Sequence, residues 1–105
     1  MNKLDLDRKT CIPSLKILGD FWTLRIIDSL SDGPLHYCEI QRVVDDVNTV
    51  TLTTRLKKLE NDGIVNREEK SRADVTYSLT PLGDKILPVL DAINDFSAEA
   101  KAQKS

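Results

Sequence analysis

The apolar residues change their spacing at Gly63, and that change restricts the fold more than any other feature of the chain. Upstream, Leu52, Leu56 and Leu59 form the narrow apolar stripe of one α-helix. Downstream, Val75, Tyr77 and Leu79 alternate, which is the period of a half-buried β-strand. Between them "IVNREEK" reads as a partner strand and "SRAD" as a short polar connection, so a β-hairpin follows the leucine helix directly.

The flanking segments complete the order. From Pro13 to Leu30, the residues Leu15, Leu18, Trp22, Ile26 and Leu30 mark a helical face that Ile17, Phe21, Leu24 and Ile27 widen. Gly19 divides this stretch into a lead-in helix and a longer one, and "SDGP" (Ser31–Pro34) ends it with turn chemistry. A short helix follows, with Tyr37, Ile40, Val43 and Val44 expected to face inward. "DDVN" then delivers Asn48, whose side chain can accept from an orphan backbone N–H at the start of the leucine helix. After the hairpin, "TPLGDKILPVLDAINDF" places Thr80 as N-cap and Pro81 at the first helical position. Leu82, Ile86, Val89, Leu90, Ile93 and Phe96 are expected along one face of this last helix, with a mild kink at Pro88. The resulting expectation is a mainly α fold with a small β-hairpin (α+β), a winged helix-turn-helix. It is read as a single domain over 1–105, with 1–8 and 102–105 loose.

Composition removes several function classes. A chain of 105 residues supports one modest core. No apolar run approaches the eighteen or so residues of a membrane span, and "MNKLDLDRKT" is too polar for a signal peptide, so a cytoplasmic protein without membrane contact is expected. Cys11 and Cys38 lack the spacing of a zinc site and are too few for a disulfide scaffold. His36 is the one histidine, the glycines are dispersed, and no nucleophile stands beside a base. No metal, cofactor or enzymatic activity is expected. The formal charge of −2 argues mildly against nucleic acid, but a binding face needs only local positive potential.

That potential is concentrated in "NTVTLTTRLKK", where four threonines and three bases occupy Asn48–Lys58 without a carboxylate. With the leucines facing the core, Val50, Thr51, Thr54, Lys57, Lys58 and Asn61 point away, with Thr49, Thr53 and Arg55 on the flanks. Threonine is a weak helix former, so stability does not explain the pattern. A DNA major groove does. Threonine offers a hydroxyl and a methyl, Val50 can meet a thymine methyl, and Arg55 and Lys58 can reach phosphates or, for Arg55, a guanine edge. A solvated helix face is the bland alternative; the short helix before it and the hairpin after it, with Lys70 and Arg72 near its tip, favour DNA.

The order of motifs resembles the HxlR-type winged helix-turn-helix transcriptional regulators over roughly Cys11 to Phe96. The residues that carry it are Cys11, "LKILGDFWTLRIIDSL", "DGPLHYCEIQ", "LTTRLKKLENDGIV" and "YSLTPLGDKILPVL". The resemblance implies a homodimer on double-stranded DNA, joined through terminal helices. Its recognition helix over 48–61 would enter the major groove and its wing over 64–79 would touch flanking backbone. The surplus of apolar residues on the last helix independently suits a dimer seam made of Leu82, Ile86, Val89, Leu90, Ile93 and Phe96. In some relatives a cysteine at the position of Cys11 senses oxidants or electrophiles, and Arg8 and Lys9 would favour its thiolate. Departures from the family pattern are Phe21 where a lysine is usual, "HYCEI", "DDVN", and a shorter wing without its proline pair. His36 reads as a turn residue with a phosphate contact as its better functional role.

The expectation is a dimeric regulator in which Arg55→Ala and Lys58→Ala each flatten the salt dependence of DNA binding by about 0.9 in slope. Placement of Thr54, Arg55 and Lys58 beneath another element, or pairing of the two bases with the protein's own acids, would remove its foundation. The rival is a winged helix that uses the same face to bind another protein. The operator, the direction of regulation and any small-molecule effector are not written in the sequence.

Overall fold

A computed structural model describes residues 16–104 of the chain; Cys11 and the segment 1–15 lie outside the described residues. The chain enters on a helical turn over residues 16–18, and after Gly19 comes α1 (Phe21–Ser29). Asp20 caps α1 by accepting from the Thr23 N–H at 3.0 Å. Helix α1 buries Ile26 and Ile27 completely. A turn with Gly33 at φ 136° leads to the two-residue strand β1 (Leu35–His36), then α2 (Tyr37–Val44). The expected N-cap of the leucine helix forms as read: Asn48 accepts from the Thr51 N–H at 2.8 Å at the start of α3 (Thr49–Asn61). Gly63, at φ 76°, turns the chain out of α3 into β2 (Val65–Ser71), and β3 (Asp74–Leu79) returns. The last elements are α4 (Pro81–Asp84) and α5 (Leu87–Lys104).

One core gathers every element from α1 to β2. Ile26, Ile27 and Leu30 meet Ile40 and Val44 of α2, Leu52, Leu56 and Leu59 of α3, and Ile64 and Val65 at the head of β2. All three α3 leucines are at most 2% exposed, so the stripe legible in the sequence is the inner face of the helix. Thr80 caps α4 by accepting from the Gly83 N–H at 3.1 Å, while its hydroxyl lies 2.6 Å from the Gly63 carbonyl oxygen. A Cβ on Gly83 would stand 2.3 Å from the Ile64 carbonyl oxygen. Glycine there lets α4 pack against the exit of α3, and this accounts for the Leu-Thr-Pro-Leu-Gly run.

Four expectations need correction. The sheet has three strands, ordered β1-β3-β2 and antiparallel throughout, with His36 opposite Thr76 and Val65 opposite Leu79. The last helix is two: a break at Lys85 and Ile86 separates α4 from α5, and Pro88 sits in the first turn of α5, where its missing N–H is harmless, instead of kinking one long helix. Helix α5 continues to Lys104, so residues 102–104 are helical where a loose tail was expected. Val43, expected inward, is 56% exposed because the α2 stripe narrows to Ile40 and Val44.

Candidate nucleic-acid interface

Helix α3 divides into two faces. Opposite the leucines, Thr49, Val50, Thr54, Lys57 and Lys58 are exposed, and Thr51 is half-buried. Val50 is 76% exposed, the highest value among the large apolar side chains exposed in the described structure. Two polar ties fix the roll of the helix. On the α2 side, the Tyr37 hydroxyl lies 3.1 Å from Thr53 Oγ1 and 3.4 Å from the Thr49 carbonyl oxygen. On the α1 side, Arg55 Nε donates to Asp20 Oδ2 at 2.7 Å and Nη2 to Oδ1 at 3.3 Å.

The second tie changes the role expected of Arg55. Its guanidinium is taken by a carboxylate of its own chain, in the paired geometry that would otherwise suit a guanine edge or a phosphate. The Arg55 side chain holds the Asp20 carboxyl below the ordinary carboxylate range, and the Thr23 contacts add to the effect. Lys58 Nζ lies 3.3 Å from Asp62 Oδ2, one helical turn on, but the lysine side chain is 64% exposed and the pair is an ordinary surface contact. Thr54 is exposed. Arg55 is therefore paired with an acid of its own chain and Lys58 loosely so, while Thr54 stays open to solvent.

His36 is also engaged. It caps α2, its backbone N–H donating to Glu39 Oε1 at 2.9 Å; its ring nitrogens stand 2.8 Å from Glu39 Oε1 and 3.1 Å from Asp74 Oδ1 on β3. The two carboxylates raise its pKa, Glu39 the more strongly. The imidazole thus ties the base of the wing to α2 instead of pointing outward to a phosphate. Lys70 and Arg72 are exposed at the wing tip as the sequence suggested, beside exposed Glu68 and Glu69. Asp45 and Asp46, both at φ 58°, form the turn before α3 and are exposed.

The residues expected at a dimer seam do not share one environment. Leu82, Val89, Ile93 and Phe96 are 53%, 38%, 42% and 71% exposed. Ile86 is half-buried, and Leu90 is 8% exposed within the protomer's own core, a correction to its assignment. Phe21, read in the sequence as widening the apolar face of the first helix, is 59% exposed and with Leu24, Leu90 and Ile93 borders a groove of about 250 Å³ between α1 and α5. The sequence reading missed Asp20, and it placed Tyr37 inward without its hydroxyl tie to α3. Asp20 carried a signal as a cap residue after Gly19, but its partner Arg55 lies 35 residues away.

A helix-turn-helix of α2 and α3, flanked by a three-stranded wing and followed by a long C-terminal helix, defines a winged-helix transcriptional regulator. The chain belongs to the HxlR-like helix-turn-helix family, whose model matches residues 17–105. Members of this family are regulators of transcription and not enzymes. A helix-turn-helix transcriptional regulator from Methanothermobacter thermautotrophicus is 35% identical over 78 residues, covering 72% of this chain. The match spans 60% of that relative's length, less than two thirds. Among solved structures, a transcriptional regulator of the MarR family from Enterococcus faecalis superposes with a TM-score of 0.77 at 32% identity, covering 99% of this chain and 96% of its own. Quinone-bound YodB from B. subtilis gives a TM-score of 0.77 at 28% identity, covering 87% of this chain and 98% of its own, and YodB has also been solved reduced and diamide-treated. Among the described residues no helix is long and apolar enough to cross a membrane.

Proposed function

We propose that the protein is a homodimeric, sequence-specific double-stranded DNA-binding regulator acting in the cytoplasm, with α3 in the major groove and the wing on flanking backbone. The observation that carries this reading is the exposed run Thr49, Val50 and Thr54 in the N-terminal half of a helix whose leucines are all buried. In helix-turn-helix proteins that half of the second helix meets the bases. Thr49, Val50, Thr51 and Thr54 supply hydroxyls and methyls to base edges, while Lys58, Lys70 and Arg72 supply positive charge to phosphates. Dimerisation would cover Leu82, Ile86, Val89, Ile93 and Phe96 and place one reading helix per half-site, about 10 bp or a multiple apart. Cys11 is the candidate sensor thiol, supported by the redox and quinone states in which the similar YodB has been solved.

Fluorescence anisotropy against mixed-sequence DNA at low and moderate salt is the primary test. Salt-sensitive binding, followed by recovery of discrete genomic fragments, is the expected result; no binding at any salt would transfer the face to a protein partner. Diamide treatment should then change the affinity of the wild type and leave Cys11→Ser unchanged; a change of equal size in both would remove Cys11 from the reading.

A further inference from the structure

Arg55 is the base nearest the exposed threonines that the fold does not leave to solvent. Its side chain is 33% exposed and that of Asp20 28%, so the pair borders an open cleft of about 260 Å³ that Lys16, Thr54, Lys58 and Asp62 also line. The two partners are not equally mobile. Asp20 is anchored, because its carboxylate accepts from both the Thr23 N–H and the Thr23 hydroxyl at the start of α1. Arg55 reaches it from α3 on a long, rotatable stem. A phosphate could accept from the same two guanidinium nitrogens, so Asp20 and a DNA backbone would compete for one fork of donors. Capping α1 needs only one acceptor, and serine or asparagine would serve as well. The carboxylate therefore adds something the cap does not require.

We propose that Asp20 is a specificity-determining residue: it withholds Arg55 from the DNA backbone and so depresses binding that is indifferent to sequence. Non-specific affinity rises with each phosphate neutralised. By closing Arg55 onto Asp20, the protein removes one such contact and leaves discrimination to the threonines and Val50. This rests on the DNA-binding reading above and reverses the sequence-based expectation that Arg55→Ala flattens the salt dependence.

The test titrates the full chain with a random-sequence duplex across a range of salt, using wild type, Asp20→Asn, Asp20→Ser, Arg55→Ala and the Asp20→Asn/Arg55→Ala pair. Both Asp20 changes keep a cap acceptor, and melting curves would identify a variant that fails to fold. The expected result is tighter non-specific binding by Asp20→Asn and Asp20→Ser, with a salt slope steeper by about 0.9. Over a fourfold rise in salt that is roughly a 3- to 4-fold larger loss of affinity. Arg55→Ala should keep the wild-type slope, and the double change should return to it. Unchanged or weaker binding by the folded Asp20 variants, or a flattened slope in Arg55→Ala, would overturn the proposal. A wild type that binds no DNA would sink the functional reading itself, whereas binding by the wild type with no effect of Asp20 sinks this inference alone.

Discussion

Helices α3 and α5 both carry apolar residues at helical spacing, yet they end in opposite states. Helix α3 turns every leucine into the protomer and shows the outside threonine and lysine; α5 buries Leu90 and leaves Val89, Ile93 and Phe96 in contact with solvent. The first is closed on its apolar side and open on its polar one. The second is open on an apolar side that no element among the described residues covers. Solvent-facing polar groups are stable as they stand, so the α3 face needs a reason other than folding. Exposed Ile93 and Phe96 are unfavourable as they stand and call for burial against another apolar surface.

The largest effect should separate the two helices by stability. Leu56→Ala removes a side chain that is 2% exposed at the centre of the core and should cost about 2–5 kcal/mol in denaturant unfolding. Phe96→Ala, at 71% exposure, should change the unfolding of the isolated protomer by no more than about 0.5 kcal/mol. Comparable losses would mean that Phe96 packs on its own protomer after all.

The next largest concerns assembly. Ile93→Asp combined with Phe96→Asp places two charges on the face that α5 leaves uncovered. Sedimentation should show the wild type as a dimer and the double variant as a monomer with native circular dichroism. A wild-type monomer at micromolar concentration would leave the exposed apolar face of α5 without an explanation.

How much of this contrast the sequence carried depends on the range of the interaction behind each feature. The Asn48 and Thr80 caps, the leucine stripe and the hairpin are local, decided within a few residues, and each forms close to where the spacing placed it, the "SRAD" connection shrinking to Arg72 and Ala73 because Ser71 and Asp74 pair. Strand β1 has two residues and no period to read; it exists because β3 lies beside it. The inward turn of Leu90 and the outward turn of Val43 depend on which neighbour each helix packs against. The same limit applies at the site. That Thr54 and Val50 face outward follows from the 100° step of the helix, whereas the capture of Arg55 by Asp20 joins residues far apart in sequence. Charge alone could nominate Arg55 as a DNA contact; only the packing of α1 on α3 reveals a competitor.

A smaller effect probes the polar face of α3. Thr54→Ala removes an exposed hydroxyl and should leave unfolding within about 0.5 kcal/mol of wild type. Its affinity for a selected operator should fall by about 1 kcal/mol, the net worth of a hydrogen bond, with little change for random DNA. An equal loss on both duplexes would make Thr54 a backbone contact and would move sequence reading toward Thr49 and Val50.

The smallest effect lies at the joint between the reading helices and the wing. Both ring nitrogens of His36 face carboxylates, and a neutral imidazole has only one N–H, so donation to Glu39 and Asp74 together needs the imidazolium. The pKa of His36 is raised above its ordinary value near 6.5, first by Glu39 and then by Asp74. Its contribution to stability is therefore fully present below that ordinary value and is lost as pH rises through the higher folded one. Glu39 is shifted down, mainly by the His36 backbone N–H and then by the ring, so its share is present above the ordinary glutamate value and fades as pH falls through the depressed one. The wing is thus pinned best in the window between the two, and exposure with salt screening keeps the effect small. Amide exchange at Leu35, His36, Thr76 and Tyr77, compared between wild type and His36→Gln from about pH 6 upward, measures it. Protection in the wild type should decline toward that of the variant as the imidazolium is lost. An identical pH response in both proteins would mean that backbone pairing alone joins β1 to β3, leaving the wing mechanically independent of the charge on His36.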